Sequence, residues 1–506
     1  MSASPDSNMY GQIAAALDKR PDAVAIEAED SQRFRFREVD QWSARFANAL
    51  VGLGLRPGDR VAAQVDKTPQ SLLLYLACLR AGLIYVPLNT AYQSGELEHF
   101  LSDAEPSVIV GQPQAEPRLR RLAAVNSRIP ILNLDENGAG SCTELAAGSD
   151  PGFDAAPVNA DDVAAIIYTS GTTGRSKGAM VTHRNLISNT RALVSAWSFS
   201  EQDVLLHTLP IFHVHGLFVA NHCALLSGAK ILWRRRFEAE AVARDLLRAT
   251  VFMGVPTYYV RLLAESSFGR AQCGRMRLFV SGSAPLLAET FKAFEARTGH
   301  RILERYGMSE AGMITSNPLK GERRPGTVGL PLPGVSVRVA DERNQPLSTG
   351  AVGAIQIKGE NVFRGYWRLP ARTREEFTAD GWFRSGDLGA FDADGYLSIV
   401  GRARDLIITG GYNVYPKEVE LALDQLPGVR ESAVIGVPHP DFGEAVTAVV
   451  VAAPDAALDE ASIMSALRAR LANYKVPKRV HIVEELPRNA MGKVQKNLLR
   501  GRYNGT

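Results

Sequence analysis

The sequence predicts an α/β fold: a large N-terminal domain of α/β layers with a β-rich subdomain, then a small, mobile α+β domain. Three observations carry this expectation. Helix-like and strand-like patterns alternate as far as about residue 330, which argues for helices layered on parallel strands. Strands of alternating apolar and polar residues then dominate, the texture of a half-exposed sheet. Beyond Gly401-Arg-Ala-Arg-Asp405, short strands alternate with helices over about a hundred residues, enough to fold alone and to move against the main body. The expected boundaries are 1–402 for the N-terminal domain, with its β-rich part at about 331–402, and 403–506 for the C-terminal domain.

The elements follow from local pattern. Phe46, Ala49 and Leu50 mark one face of a helix that Gly52 and Gly54 close. Residues 60–65 read as a strand, and 71–80 as an apolar helix ending before Gly82. The stretch 135–159 is rich in Gly, Ala, Ser and Pro and reads as loop. Residues 163–167 form a continuous apolar run, the pattern of a buried strand. Residues 335–339, 354–358 and 396–400 alternate as half-exposed strands. Strands at 406–409, 433–437 and 448–451, with helices at 416–426 and 463–471, complete the C-terminal domain.

Composition bounds the function classes. A hydrophobic share of 45% supplies ample core, and a net charge of +3 makes no case for nucleic acid. No apolar run approaches the ~18 residues of a membrane span, and the N-terminus lacks an apolar stretch of signal-peptide length. A cytoplasmic protein with neither a nucleic-acid nor a membrane partner is expected. Cys78, Cys142, Cys223 and Cys273 form no CxxC pair, which argues for free thiols. From residue 466 onward, ten Lys and Arg stand against two acidic residues, a bias that suits a small polyanion.

The chemistry begins at Tyr168-Thr-Ser-Gly-Thr-Thr-Gly-Arg-Ser-Lys177-Gly178. Gly171 and Gly174 permit a tight loop and close approach of a ligand. Ser170, Thr172 and Thr173 offer hydroxyls, free backbone N–H groups make an anion-binding concavity, and Lys177 adds positive charge. A strand feeding such a loop is built to hold phosphate. It is not a Walker A loop, because no Gly-Lys-Ser/Thr closes it.

Seven further segments stand in register with this loop. They are Pro210-Ile-Phe-His-Val-His-Gly-Leu217, Ser281-Gly-Ser-Ala-Pro285, Glu304-Arg-Tyr-Gly-Met-Ser-Glu310, Ser385-Gly-Asp-Leu388, Gly401-Arg402 with Asp405, Gly410-Gly-Tyr-Asn413 and Pro487-Arg-Asn-Ala-Met-Gly-Lys493. Their order and spacing resemble the adenylate-forming superfamily of acyl-CoA synthetases, luciferases and peptide-synthetase adenylation domains, across about residues 10–500. The resemblance implies that a carboxylate attacks the α-phosphorus of ATP to give an acyl-adenylate and pyrophosphate, and that a thiol then displaces AMP. Positioning and charge stabilisation carry such a step.

By the same resemblance, the cofactors and co-substrates are ATP, Mg2+ and coenzyme A. Thr169, Ser170, Gly171, Thr172, Thr173, Gly174 and Lys177 hold the β- and γ-phosphates. Glu310 binds Mg2+ with Thr169 beside it, and Ser309 with Thr169 or Thr172 touches phosphate. Tyr306 and the Gly282, Ser283 and Ala284 backbone flank adenine, within a nucleotide site that includes Glu304, Arg305, Gly307 and Met308. Asp387 and Arg402 take the ribose hydroxyls. Lys493 contacts the carboxylate, ribose and α-phosphate oxygens. The catalytic set is thus Lys493, Glu310 and His213. Arg404 falls at the family's hinge, where most relatives carry Asp or Lys, and Gly410 and Gly411 are candidates to lie against the pantetheine arm of coenzyme A. The Trp233-Arg-Arg-Arg-Phe237 run has two readings, a coenzyme A phosphate site and a solvated face, and the second is the commoner origin of charge runs.

Polar and basic residues cluster where the acid is expected: His213, Ser281 or Ser283, and Arg323. The wording around them, with Pro87-Leu-Asn-Thr-Ala-Tyr92, is similar to malonyl-CoA synthetases. That similarity implies malonate as the acid, with Arg323 and His213 meeting its distal carboxylate. The alternatives are a ligase for another small acid (methylmalonate, succinate, a short-chain or aryl acid) and a stand-alone adenylation enzyme serving a carrier protein. A different class altogether is a non-catalytic nucleotide-binding protein, disfavoured because Lys493, Glu310, Asp387 and Arg402 are all present. The expected partners are malonate, ATP and coenzyme A, with a lysine acetyltransferase acting on Lys493 as a further candidate.

Overall fold

The computed structural model describes residues 4–123, 129–169, 176–409, 412–439, 442–454, 456–489 and 492–504. The chain divides into two compact units, 1–336 with 357–383 and 337–356 with 384–506.

Two large sheets organise the first unit. One has seven strands in the order Gly365–Tyr366, Lys177–Thr182, Val163–Thr169, Ile84–Pro87, Arg60–Gln64, Val108–Gly111, Ile131–Asn133. The other has nine: Leu330–Pro331, Gly312–Ser316, Leu303–Met308, Leu278–Ser281, Val251–Gly254, Val204–His207, Lys230–Trp233, Val24–Ala28, Arg33–Arg35. Their central strands pair parallel, as helix–strand alternation requires. Strands Val108–Gly111, Val251–Gly254 and Leu278–Ser281 are buried along their whole length, which is why they read as apolar runs without alternation.

Helix Pro69–Arg80 shows the same logic in helical form. All twelve residues are buried, so it carries no polar face. Its start is fixed by Thr68, whose hydroxyl accepts from the Ser71 N–H at 3.1 Å while Ser71 Oγ accepts from the Thr68 N–H at 2.9 Å, and by Pro69 in the first turn. Helix Phe36–Gly52 buries the expected Phe46, Ala49 and Leu50. The stretch 135–159 is not wholly loop, because Ser141–Ala147 forms a short helix that buries only Cys142 and Ala146. All four cysteines are free and buried. Among the described residues, no helix is long and apolar enough to cross a membrane.

The second unit holds a four-stranded sheet, Val335–Ala340, Gly353–Gly359, Phe383–Phe391 and Leu397–Arg402, whose first three strands begin or end in the first unit. Its other sheet has the order Tyr412–Val414, Ile407–Thr409, Gly443–Ala452, Val429–His439, with Arg479–Val483 parallel to Gly443–Ala452. Helix Pro416–Asp424 packs against strand Leu397–Arg402. The compact unit therefore takes in most of the β-rich strands, and the 402/403 position lies inside it rather than at its edge.

An aromatic cluster anchors the nine-stranded sheet. Phe294 has no exposed surface, and its ring lies 4.9 Å from Phe279 and 5.3 Å from Tyr259, both edge-on. Phe294→Ala is expected to cost about 3–5 kcal/mol, the range for emptying a packed aromatic site. Urea denaturation of the two proteins measures the difference.

Candidate functional site

Five parallel strands of the nine-stranded sheet send their carboxyl ends to one edge: Val204–His207, Lys230–Trp233, Val251–Gly254, Leu278–Ser281 and Leu303–Met308. That edge is where open α/β sheets hold ligands. Ser281 ends its strand with the hydroxyl fully buried and without a hydrogen-bond partner. Ser283 adopts a left-handed backbone, φ 72°, a strain of about 1–3 kcal/mol that clusters at functional sites. Its Oγ lies 3.4 Å from His215 Nδ1. Between them, Gly282 leaves the space that the guanidinium of Arg305 fills, and a Cβ there would displace it. Ala284 completes the turn, and the next Leu286 N–H donates to Glu304 Oε1 at 3.1 Å, so Glu304 holds this loop against its own strand.

Arg305 is 3% exposed, and its Nε and Nη2 have no hydrogen-bond partner. Among the described residues, no carboxylate pairs with it; burial drags its pKa down to about 9. His215 is fully buried and pushed well below the ordinary histidine range, by burial first and then by Arg305, His213 and His207. It is therefore a neutral imidazole, and its Nε2 also lacks a partner. Half-buried His213 stands beside it, accepting the His215 N–H on Nδ1 at 3.3 Å. Buried polar atoms normally find partners. Two unpartnered polar atoms, Ser281 Oγ and His215 Nε2, thus lie near one buried positive charge that itself lacks partners on Nε and Nη2, an arrangement that suits an anion.

Arg323 takes a different place. Its Nε donates to Pro318 O at 3.3 Å and its Nη2 to Leu319 O at 3.2 Å, while Nη1 reaches Arg301 O. Its fork fastens the 318–323 loop.

The cluster expected to meet phosphate is built around strands of the seven-stranded sheet. Thr169 and Lys177 face each other across an antiparallel pair. Thr169 Oγ1 lies 3.5 Å from Glu310 Oε1, and the Tyr366 hydroxyl donates to the same oxygen at 3.1 Å. Lys177 Nζ sits 4.3 Å above the Tyr366 ring and 3.6 Å from Glu376, which Arg372 also pairs at 2.8 Å. Glu310 is aimed by its backbone: the Phe363 N–H donates to its carbonyl at 2.7 Å, and Asn361 Nδ2 to Ala311 O at 2.7 Å. Tyr306 is buried, Gly307 abuts Met313, and Met308 and Ser309 are half-buried in the same hairpin. Tyr366, Glu376 and Asn361 carried no signal in the sequence reading; only the pairing of Gly365–Tyr366 with Lys177–Thr182 brings Tyr366 to Glu310.

In the second unit, Asp387 lies directly across from Arg402 on paired strands, and they form an ion pair at 3.1 Å. Arg404 is exposed in the turn Ala403–Asp405, whose Asp405 pairs with Arg500 at 2.7 Å. Half-buried Lys493 sits in a turn closed by Asn489, which donates its N–H to Lys493 O at 2.9 Å and accepts the Lys493 N–H on Oδ1 at 3.0 Å. Ser170, Gly171, Thr172, Thr173, Gly174, Gly410 and Gly411 lie outside the described residues. The 234–236 arginines are engaged by neighbours: Arg234 with Asp245, Arg235 with Glu29 at 3.4 Å, and Arg236 with Glu238 at 2.7 Å. That is a paired surface.

Residues 13–367 match the AMP-binding enzyme family, and 418–493 match the AMP-binding enzyme C-terminal domain. The chain belongs to the AMP-binding enzyme family. It is 37% identical to a feruloyl-CoA synthase of Amycolatopsis sp over 96% of each chain, and 37% identical to a malonate–CoA ligase of Arabidopsis thaliana over 95% of this chain and 86% of that one. The ATP-bound crystal structure of MatB from Rhodopseudomonas palustris superposes with a TM-score of 0.97 at 50% identity, covering 100% of this chain and 99% of that one. The protein is an acid–CoA ligase of the AMP-forming class, with ATP, coenzyme A and an acid as its small-molecule substrates.

The carboxylate of Glu310 and the hydroxyl of Thr169 are hard oxygen donors of the kind Mg2+ prefers, so these residues fit the ion. Among the described residues, no group of three or more His, Cys, Asp or Glu could hold a metal alone; the remaining positions would fall to phosphate oxygens. Removing the hydrogen bond to Glu310 by Tyr366→Phe is expected to lower kcat/KM for ATP by about tenfold, the worth of one charge-assisted bond. The KM for the acid should stay unchanged, and steady-state kinetics with each substrate varied in turn reads both.

Proposed function

We propose that the protein joins malonate to coenzyme A through a malonyl-adenylate, releasing AMP and pyrophosphate. The observation that carries the choice of acid is Arg305, a buried guanidinium without a carboxylate partner beside Ser281, Ser283 and neutral His215. A second carboxylate on the substrate supplies the counter-charge, and the planar guanidinium receives it through two N–H groups at once. Distal-carboxylate recognition therefore rests on Arg305 with His213 and His215 nearby, and no longer on Arg323.

The chemistry then follows from the groups present. An oxygen of malonate's other carboxylate attacks the α-phosphorus as the bond to pyrophosphate breaks. Lys493 neutralises charge on the carboxylate and α-phosphate oxygens, and Lys177 lies along the β- and γ-phosphates. Asp387 and Arg402 hold the ribose. Glu310 and Thr169 would hold Mg2+, which when bound would draw charge from the phosphate oxygens. In the second half-reaction the thiolate sulfur of coenzyme A attacks the acyl carbon, and the C–O bond to AMP breaks as the C–S bond forms. Arg404 serves as the hinge between the two half-reactions.

Two substitutions and one panel test this reading. AMP release measured across malonate, methylmalonate, succinate, acetate, butyrate and ferulate is expected to place malonate first; a monoacid in first place would remove the dicarboxylate. Arg305→Met is expected to cut kcat/KM for malonate by about a hundredfold, since two charge-assisted hydrogen bonds are lost, with the slower turnover of acetate little changed. Because an unpaired buried charge disappears, the same variant should melt no earlier than the wild type. Lys493→Ala is expected to slow adenylation by about 10²–10³, read as pyrophosphate release, while thioester formation from supplied malonyl-adenylate continues.

A further inference from the structure

Lys67 is a buried lysine, 8% exposed, just ahead of helix Pro69–Arg80; burial disfavours its ammonium and pushes its pKa well below the ordinary lysine range, against a smaller opposing pull from Glu29. All three of its hydrogen bonds go to neutral acceptors: His207 Nδ1 at 2.9 Å, His207 O at 2.9 Å and Arg234 O at 2.7 Å. Its Nζ also lies 4.8 Å from the centre of the Trp233 ring. Holding such a charge in the interior costs several kcal/mol, so a surface lysine folded inward by chance is a poor account of it.

The far side of His207 explains the arrangement. Its Nε2 lies 3.0 Å from the carbonyl oxygen of Gly216, which can only accept. The proton therefore sits on Nε2. Burial pushes His207 well below the ordinary histidine range, so the ring is neutral and Nδ1 must accept. Lys67 then has to donate there, so the Gly216 carbonyl sets the His207 tautomer and the tautomer sets the direction of the Lys67 hydrogen bond.

Gly216 belongs to the segment His215–Ala220, one turn of π-helix, a form that recurs at functional sites. It is wedged so closely that a Cβ would overlap Pro210 O, and Asn221 Nδ2 donates to the same carbonyl at 3.0 Å. His215 opens that segment and faces Ser283 in the anion pocket. We propose that Lys67, His207 and Gly216 form a positioning relay that locks the π-helical turn in place, sets His215 against Arg305 and Ser283, and so governs affinity for the acid. This rests on the reading of that pocket as the acid's anion site.

Two substitutions at one residue separate positioning from bulk stability. His207→Gln keeps a donor long enough to reach Gly216 O, whereas His207→Asn keeps only an acceptor facing Lys67. The expected result is an acid KM within about threefold of wild type for His207→Gln and raised about tenfold for His207→Asn, with kcat and the KM for ATP within about twofold in both. Equal acid KM values in the two variants, or an ATP KM that rises in step, would overturn the relay. A direct measurement stands beside this if a variant fails to fold. In wild-type enzyme labelled with ¹⁵N-histidine, the His207 ring must carry its proton on Nε2, and a proton on Nδ1 overturns the relay outright. The variants are assayed with whichever acid the wild type prefers, so a monoacid preference defeats the dicarboxylate reading while the relay is judged separately.

Discussion

A parallel strand cannot return through a tight hairpin; the chain must cross over, usually as a helix, before the next strand begins. The rest of this site depends on that constraint. Because Val204–His207, Lys230–Trp233, Val251–Gly254, Leu278–Ser281 and Leu303–Met308 all run the same way, every one of their carboxyl ends opens on one edge. His207, Trp233, Ser281 and Arg305 come from segments tens of residues apart, yet the topology leaves them nowhere else to meet. The seven-stranded sheet obeys the same rule until Val163–Thr169, where the antiparallel partner Lys177–Thr182 turns the chain straight back. That reversal sets Thr169 and Lys177 side by side.

Within this frame the two proposed anion sites differ in electrostatic preparation. Lys177 already has Glu376 at 3.6 Å and the face of Tyr366 beneath it. Arg305 has the edge of a glycine backbone and the dipoles of neutral side chains. Arginine suits such a place better than lysine, because its delocalised charge is less strongly hydrated and its planar fork is pre-organised. The chain sustains this by surrounding the guanidinium with a large, well-packed sheet edge, and by keeping His215 neutral so that no second positive charge competes for the same anion.

The fold was legible wherever one kind of residue had one kind of environment. Residues 163–167 and 71–80 read correctly because their elements are buried on every side, and composition alone reports that. Helix Ser141–Ala147 was hidden by Gly, Ala and Ser, which also make loops; two buried side chains in seven residues give no periodicity to see. The long hairpin Val429–His439 and Gly443–Ala452 outruns its apolar kernels because its ends carry Arg430, Glu431 and Glu444, which find partners distant in sequence (Glu484 O, Arg488 and the Ile408 N–H) instead of breaking the strands. At the site, the motifs located the strand ends and turns but not the burial of individual side chains. Arg323, between glycines, looked free to reach a ligand, and the structure gives its donors to backbone carbonyls. Arg305 was read with the rest of its motif as part of the nucleotide site, and nothing in the sequence marked its burial without a carboxylate partner.

If Arg305 receives the acid's second carboxylate, as proposed, this difference in preparation decides where selectivity is concentrated. A polyphosphate approaching Lys177 exchanges one favourable pairing for another, and only the difference between them contributes to binding. A carboxylate approaching Arg305 meets a charge already stripped of water and never compensated, so nearly the whole charge-assisted interaction, about 1.5–3 kcal/mol per hydrogen bond, adds to affinity. An acid lacking that second charge leaves the guanidinium as unsatisfied in the complex as it was before, and sites built to pair a polar group reject analogues without one far better than apolar pockets reject a missing methylene. On the proposed reading, the nucleotide side can be shared across a family of ligases, while the choice of acid is concentrated in a few buried atoms at the end of two adjacent strands.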